Sequence, residues 1–138
     1  MSTGKVFSME LYIRFRDFDA LKHINSSVFF TYFEEGRKRF FREVFKEPQP
    51  DYFCYTMAHT SCDFHKPVSL SDELILKIWV SGIRTSSFDL SYQVADKKDR
   101  SVIYTSGKSV LVNLDPDEQR SVKIAPRLRN QLSTYMAK

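Results

Sequence analysis

Apolar positions along the chain follow two periods. Phe29, Tyr32, Phe33, Phe40 and Val44 recur close to every 3.6 residues, the spacing of one helix face. Phe30, Phe41 and Phe45 widen that stripe beyond what a surface helix needs, so cover on more than one side is expected. Gly36 interrupts the stripe at about 1 kcal/mol relative to alanine, and close approach of another backbone is the expected return. Further on, the period is two. Leu74, Leu76, Ile78 and Val80 alternate with Glu73, Lys77 and Trp79, and Phe88, Leu90, Tyr92 and Val94 alternate with Asp89, Ser91 and Gln93.

In chain order, Lys5 to Phe15 alternates loosely and reads as a first strand. A polar loop and one long helix run from Arg16 to about Lys46, and Glu47 to Asp51, with two prolines, ends them. Tyr52 to His65 is a strand broken by Lys66-Pro67. Strands over Glu73 to Ser81 and Phe88 to Val94 follow, then a polar turn from Ala95 to Arg100. A long strand from Val102 to Asn113, a loop from Leu114 to Gln119 and a short helix from Pro126 to Met136 complete the chain. Four strands without intervening helices favour an antiparallel sheet. A single long helix is buried only if that sheet curls around it. The expected fold is therefore α+β, about five antiparallel strands wrapped around one central helix, in one domain spanning 1–138.

Composition narrows the class. Hydrophobic residues at 42% and aromatics at 14% describe a globular chain with a real core. The net charge of +4 raises the question of an anionic partner. Its densest basic cluster, Arg37, Lys38, Arg39 and Arg42, shares a helix with Glu34, Glu35 and Glu43, which reads as a solvated face and argues against nucleic acid. An anionic small ligand bearing a nucleotide fits the same charge. Cys54 and Cys62, if on one extended strand, stand about 26 Å apart at about 3.3 Å per residue, too far to bridge; buried thiols in a reducing compartment are expected. No signal-peptide core or long apolar run occurs, so no membrane partner is expected and the location is expected to be cytoplasmic.

Candidate chemistry crowds into one place. Asp17, Asp19, His23 and Asn25 lie in the loop just before the long helix. A helix N-terminus gathers unpaired N–H groups and about half a positive charge, which suits a carbonyl that must become an oxyanion. The plainer alternative is that Asn25 or Ser26 caps the helix and the aspartates solvate the loop. Other fragments carry less. Thr105-Ser106-Gly107-Lys108-Ser109 resembles the tail of a phosphate loop, yet Val102 stands where the first glycine belongs. His23, His59 and His65 lack metal-site spacing, and no metal is expected. No nucleophile elbow occurs, and Cys54 and Cys62 read as structural thiols.

The segment Asp17 to Arg37, DFDALKHINSSVFFTYFEEGR, resembles the 4-hydroxybenzoyl-CoA thioesterase branch of the hotdog-fold superfamily. The resemblance continues through Asp63 to Leu74 and Ser109 to Pro126, in order. It implies a hotdog fold and hydrolysis of an acyl-CoA to a free acid and CoA, with no cofactor beyond the CoA of the substrate. Asp19 falls on the catalytic aspartate position, as nucleophile or general base. Asp17 falls on a position that is often acidic. The helix start from Asn25 to Ser27, with Ser26 at its middle, would supply the N–H that polarises the thioester carbonyl.

Two residues depart from the family pattern: Lys22 stands where many relatives have glycine, and Ser26 replaces a second asparagine. A positive φ would strain lysine, so a differently shaped loop is expected. His23 and Asn25 are expected to orient the loop and cap the helix. Glu34 and Glu35 are second catalytic candidates, with pairing to Arg37 or Lys38 as the alternative. Lys66, Arg84, Arg37 and Lys108 are the expected surface contacts for the CoA phosphates. Open sheet edges call for cover, and the resemblance implies a homodimer or homotetramer. The rival readings are a non-catalytic acyl-CoA-binding hotdog protein and a hotdog enoyl-CoA hydratase. The hydratase pattern has four residues between its aspartate and histidine, whereas Asp19 and His23 have three.

Overall fold

A computed structural model describes residues 4–46, 50 and 53–137. Its elements run β1 (Phe7–Leu11), a 3-10 turn (Phe15–Asp17), α1 (Val28–Phe45), β2 (Cys54–Phe64), β3 (Leu74–Ile83), β4 (Ser87–Asp96), β5 (Ile103–Leu114) and α2 (Pro126–Ser133). The strands form one antiparallel sheet in the order β1-β3-β4-β5-β2. β3, β4 and β5 meander as neighbours, while β2 lies on the far edge against β5, so the chain crosses the sheet between β2 and β3.

The alternation explains why the sheet curls. Leu76, Ile78, Val80, Phe88, Leu90, Tyr92 and Val94 are all 0–1% exposed, and all belong to the inward set of β3 and β4. α1 lies across this concave face with Tyr32, Phe33, Phe40 and Phe41 fully buried. Phe33 stacks on Tyr92 with ring centroids 4.3 Å apart, and Phe41 meets Phe53, Tyr55 and Phe88. α2 closes the far end of the helix, where the Tyr135 hydroxyl donates to Glu43 Oε2 at 2.6 Å and its ring meets Phe40. This is the single helix in a wrapped sheet expected from the sequence, and it is the hotdog fold.

Several details differ from expectation. β1 is confined to Phe7–Leu11 because Tyr12 and Phe15, at 81% and 90% exposed, have left the sheet. The terminal helix stops at Ser133. Phe30 points outward at 38% exposure, so the stripe is narrower there. Gly36 is approached by side chains, not by backbone: a Cβ would meet Leu76 and Ile78 of β3. Cys54 and Cys62 do share β2 as free thiols, but both are half-buried, and burial pushes the Cys62 thiol up to about 11. The expected helix stop at Glu47 to Asp51 and strand start at Tyr52 lie, except for Pro50, outside the described residues. No helix among the described residues is long and apolar enough to cross a membrane.

Gly107 marks a second close approach of helix to sheet. A Cβ there would stand 2.5 Å from the Phe33 ring and 3.1 Å from the Ser61 carbonyl oxygen. The ring has little room to yield because it is also stacked on Tyr92. Gly107→Ala is expected to destabilise the chain by about 1–3 kcal/mol, the usual cost of overpacking. At roughly 3–5 °C per kcal/mol for this size, calorimetry should read a clear fall in Tm, and an unchanged Tm would mean that the helix floats free of the sheet.

Candidate active site

The segment between β1 and α1 is a short loop folded back on itself. Phe18 and Ile24 form an isolated antiparallel bridge. Inside it, Asp19 N–H donates to the His23 carbonyl at 2.7 Å and Lys22 N–H to the Asp19 carbonyl at 3.0 Å. Asp19 Oδ1 accepts from the N–H groups of Leu21 and His23, at 2.9 and 3.2 Å. That turn demands a left-handed residue at its fourth position, and Lys22 adopts it with φ 62°. Lysine therefore accepts the positive φ expected to strain it, at about 1–2 kcal/mol, with Asp19 holding the turn from both sides. His23 pairs with Ser69, and Ile24 N–H donates to the Val68 carbonyl, tying the loop to the lead-in of β3.

Asp17 and Asp19, two residues apart, face opposite surroundings. Asp17 is only 3% exposed. Its Oδ2 accepts from the Tyr32 hydroxyl at 2.8 Å and from Arg14 N–H at 2.9 Å, and Arg14 Nε stands 3.5 Å from Oδ1. Burial alone would raise the Asp17 carboxyl, but these donors outweigh it and hold it below the ordinary value near 3.8. Its carbonyl accepts from Asn25 N–H at 2.9 Å, so one residue pins the loop both to the helix and to the turn before it. Asp19 is exposed, and its Oδ2 has no hydrogen-bond partner among the described residues.

The helix start is built in an unusual way. Asn25 Oδ1 accepts from the N–H and the hydroxyl of Ser27, at 3.1 and 3.0 Å. Val28, Phe29 and Phe30 N–H donate three residues back, to Asn25, Ser26 and Ser27. This leaves the Ser26 N–H as the one backbone donor from Asn25 to Phe30 with no acceptor among the described residues. The N-cap is Ser27, without a side-chain cap bond of its own, so the Asn25 side chain closes the turn before the helix and does not cap α1 itself. Ser26 lines a cleft of about 270 Å³ with Ile24, Phe29, Phe64, Lys66 and Val68. The Phe29 and Phe64 rings meet edge to face at 5.7 Å.

The loop brings Asp17, Asp19, His23, Asn25 and Ser26 together, with Lys66 across the cleft. The other candidates lie elsewhere. Glu35 pairs with Arg14 at 3.7 Å, not with Arg37 or Lys38, and Glu34 is exposed and unpaired among the described residues. Arg37, expected at the surface, is 8% exposed beneath the helix. Its Nη1 donates to the Tyr92 hydroxyl at 3.1 Å and its Nε has no partner. Arg84 and Lys108 converge on one buried carboxylate, Asp89, so neither is a free cation. No group of three His, Cys, Asp or Glu among the described residues is placed to hold a metal ion. Tyr32 and Arg14 escaped the sequence reading. The signal was present: a fully buried tyrosine on a helix needs a partner for its hydroxyl.

A family model described as thioesterase-like superfamily matches residues 13–132. The uncharacterized protein YsmA of Bacillus subtilis (strain 168) is 25% identical over 120 residues, 87% of this chain and 80% of that protein. The PA5185 protein of Pseudomonas aeruginosa strain PAO1 superposes with a TM-score of 0.84 at 20% identity, over 95% of this chain and 92% of its own. A thioesterase of Thermus thermophilus, solved in complex with coenzyme A and Zn, gives a TM-score of 0.77 at 26% identity, over 91% and 90%.

The depressed Asp17 carboxyl makes a pH-dependent contribution of known sign. A group whose folded value lies below its unfolded one stabilises fully above the unfolded value, here near 3.8, and the contribution is lost as pH falls through the folded value. Asp17→Asn should therefore lower Tm at pH 7, and the gap to the unsubstituted chain should close as pH drops below that value. Melting curves across pH read both, and a constant gap would show that Asp17 stabilises through shape alone.

Proposed function

The chain belongs to the thioesterase-like superfamily, and from that membership we propose an acyl-CoA thioesterase that uses Asp19 and the start of α1. Thioester hydrolysis is the chemistry of the superfamily; acyl-CoA as the substrate is supported by the coenzyme A bound to the Thermus thermophilus relative. The observation that carries the assignment of the site is the unpaired Ser26 N–H at an apolar cleft, on the same loop as a carboxylate with one free oxygen.

In this reading the acyl group occupies the cleft of Ile24, Phe29, Phe64 and Val68, and the thioester carbonyl accepts from Ser26 N–H. The helix dipole favours charge developing on that oxygen. Asp19 acts in one of two ways, both through its free Oδ2. It attacks the carbonyl, expelling the CoA thiolate and leaving a mixed anhydride that water cleaves, or it takes a proton from the attacking water. The bonds to Leu21 and His23 N–H hold the carboxylate in place for either route. Asp17, fully engaged with Tyr32 and Arg14, is a positioning residue.

Assembly completes the proposal. β2 is an edge strand of 11 residues, and Phe64 at its end is 50% exposed. A long open edge beside exposed aromatic surface calls for a covering strand, and a second copy of β2 supplies one. The protein is expected to be a homodimer, or a homotetramer built from such dimers. Light scattering at assay concentration tests this, and an active monomer would defeat it.

The enzymatic test compares two aspartates. Asp19→Asn should cut kcat by about 10²–10⁴ while leaving ligand Kd near the unsubstituted value, because it removes a base or nucleophile and little else. Asp17→Asn should cost less in kcat and more in Tm. Thiol release over a panel of acyl-CoAs, measured with ligand binding, separates them. Near-native turnover by Asp19→Asn would move the chemistry elsewhere, with exposed Glu34 next in line. Binding of acyl-CoA by the unsubstituted chain without thiol release would favour a non-catalytic acyl-CoA-binding protein.

A further inference from the structure

Three exposed cations on α1 have no partner among the described residues. Lys38, Arg39 and Arg42 make no ion pair or hydrogen bond there, although Glu34, Glu35 and Glu43 lie on the same helix. Glu35 is turned to Arg14 and Glu43 to the Tyr135 hydroxyl. Lys38 and Arg42, four residues apart, repel each other, an arrangement that weakens a helix when nothing offsets it. All three line a groove of about 330 Å³ between α1 and the open edge of β1, floored by Met9, Leu11 and Tyr12. A groove with unpaired cations along one wall is a site for a multiply charged anion.

We propose that this groove binds the phosphates of the CoA nucleotide, with Lys38, Arg39 and Arg42 as the contacts. The inference rests on the acyl-CoA reading above and gives it a second anchor point. The four cations expected from sequence leave the place open. Arg37 is buried on Tyr92, Arg84 and Lys108 are held by Asp89, and Lys66 stands at the acyl cleft.

Distance supports the assignment. Val28, Thr31, Glu35, Lys38 and Arg42 recur at alternating spacings of three and four, so they share one face that begins at the helix N-terminus. At about 1.5 Å per residue, Lys38 and Arg42 lie about 16 and 22 Å along the axis from Ser27. The pantetheine arm has about 13 bonds from sulfur to the first phosphorus, and at about 1.2 Å of advance per bond it reaches about 16 Å. A thioester at Ser26 N–H thus sets its phosphates down beside Lys38, with Arg39 and Arg42 beyond. Two carboxylates line the groove and both are paired elsewhere, Glu35 with Arg14 and Glu10 with Lys97.

The test uses the full chain and three ligands: an acyl-CoA, the matching acyl-pantetheine, and adenosine 3′,5′-bisphosphate as a non-reacting probe. In the triple variant Lys38→Gln, Arg39→Gln, Arg42→Gln, KM for acyl-CoA should rise about tenfold, as expected for the loss of several exposed charge contacts. KM for acyl-pantetheine should move by less than about twofold, since that substrate lacks the contacted phosphates. Calorimetric titration should show the bisphosphate binding the unsubstituted chain and weakening by a similar factor in the variant; Arg39→Gln alone serves if the triple variant melts early. Equal effects on both substrates would overturn the assignment. So would bisphosphate binding that is absent from the unsubstituted chain, unchanged in the variant, or abolished instead by Arg84→Gln with Lys108→Gln. If the unsubstituted chain hydrolyses neither substrate, the thioesterase reading fails, and the bisphosphate titration still judges the groove by itself.

Discussion

The contact on which the fold depends is the one between α1 and the concave face of β3, β4 and β5. The helix buries aromatic rings on most of its circumference, from Phe7 at its β1 side to Phe53 and Tyr55 near β2. Aromatic side chains bury more area than any others, but they also hold the backbones apart. Where a side chain must lie against the facing backbone, glycine is required: Gly107 lets the Phe33 ring lie over β5, and Gly36 admits the side chains of Leu76 and Ile78. Large rings and missing side chains are two halves of one packing solution. Neither can change alone.

That contact fixes more than the core. With its rings interlocked in the sheet, α1 cannot slide or turn about its axis, and its N-terminus becomes a rigid point in space. The Tyr32 hydroxyl extends this rigidity into the loop through Asp17, and Asp17 passes it on to Asn25. The proposed role of the helix start, as donor to an oxyanion, would need such support. The chain supplies it from the core outward, and the exposed loop carrying Asp19 inherits order it could not generate by itself.

What could be read in the sequence follows from which forces are local. Helix and strand periods depend on burial of one face, so α1 and the inward faces of β3 and β4 were legible within a few residues, as was the crowding of polar groups before Val28. Contacts between distant residues were not. Arg37 read as a surface charge because its neighbours Lys38 and Arg39 are surface charges, yet a helix rotates by about 100° per residue, and that carries Arg37 under the sheet onto Tyr92. Arg84 and Lys108 read as separate cations because Asp89, which joins them, sits on an intervening strand. Lys22 read as an obstacle because propensity says so; the paired hydrogen bonds of Asp19 overrule it. Position in the folded chain, not residue type, decided each case.

The pair Asp17 and Asp19 shows this most sharply. The residues are chemically identical and separated only by Phe18. The bridge between Phe18 and Ile24 sets the local chain in an extended conformation. One aspartate is directed toward the Tyr32 hydroxyl and the other leaves an oxygen in the open. The inward carboxylate accepts two hydrogen bonds on Oδ2 and faces the Arg14 guanidinium with Oδ1; its charge serves the structure. The outward one commits a single oxygen to its own turn. A carboxylate held in its ionised form by close donors is a weaker base and nucleophile than one left partly unsatisfied, which is why the proposed reaction is assigned to Asp19 and not to Asp17. The same tripeptide therefore holds one aspartate as an anchor and leaves the other open, and the anchor fixes the open carboxylate relative to the helix start.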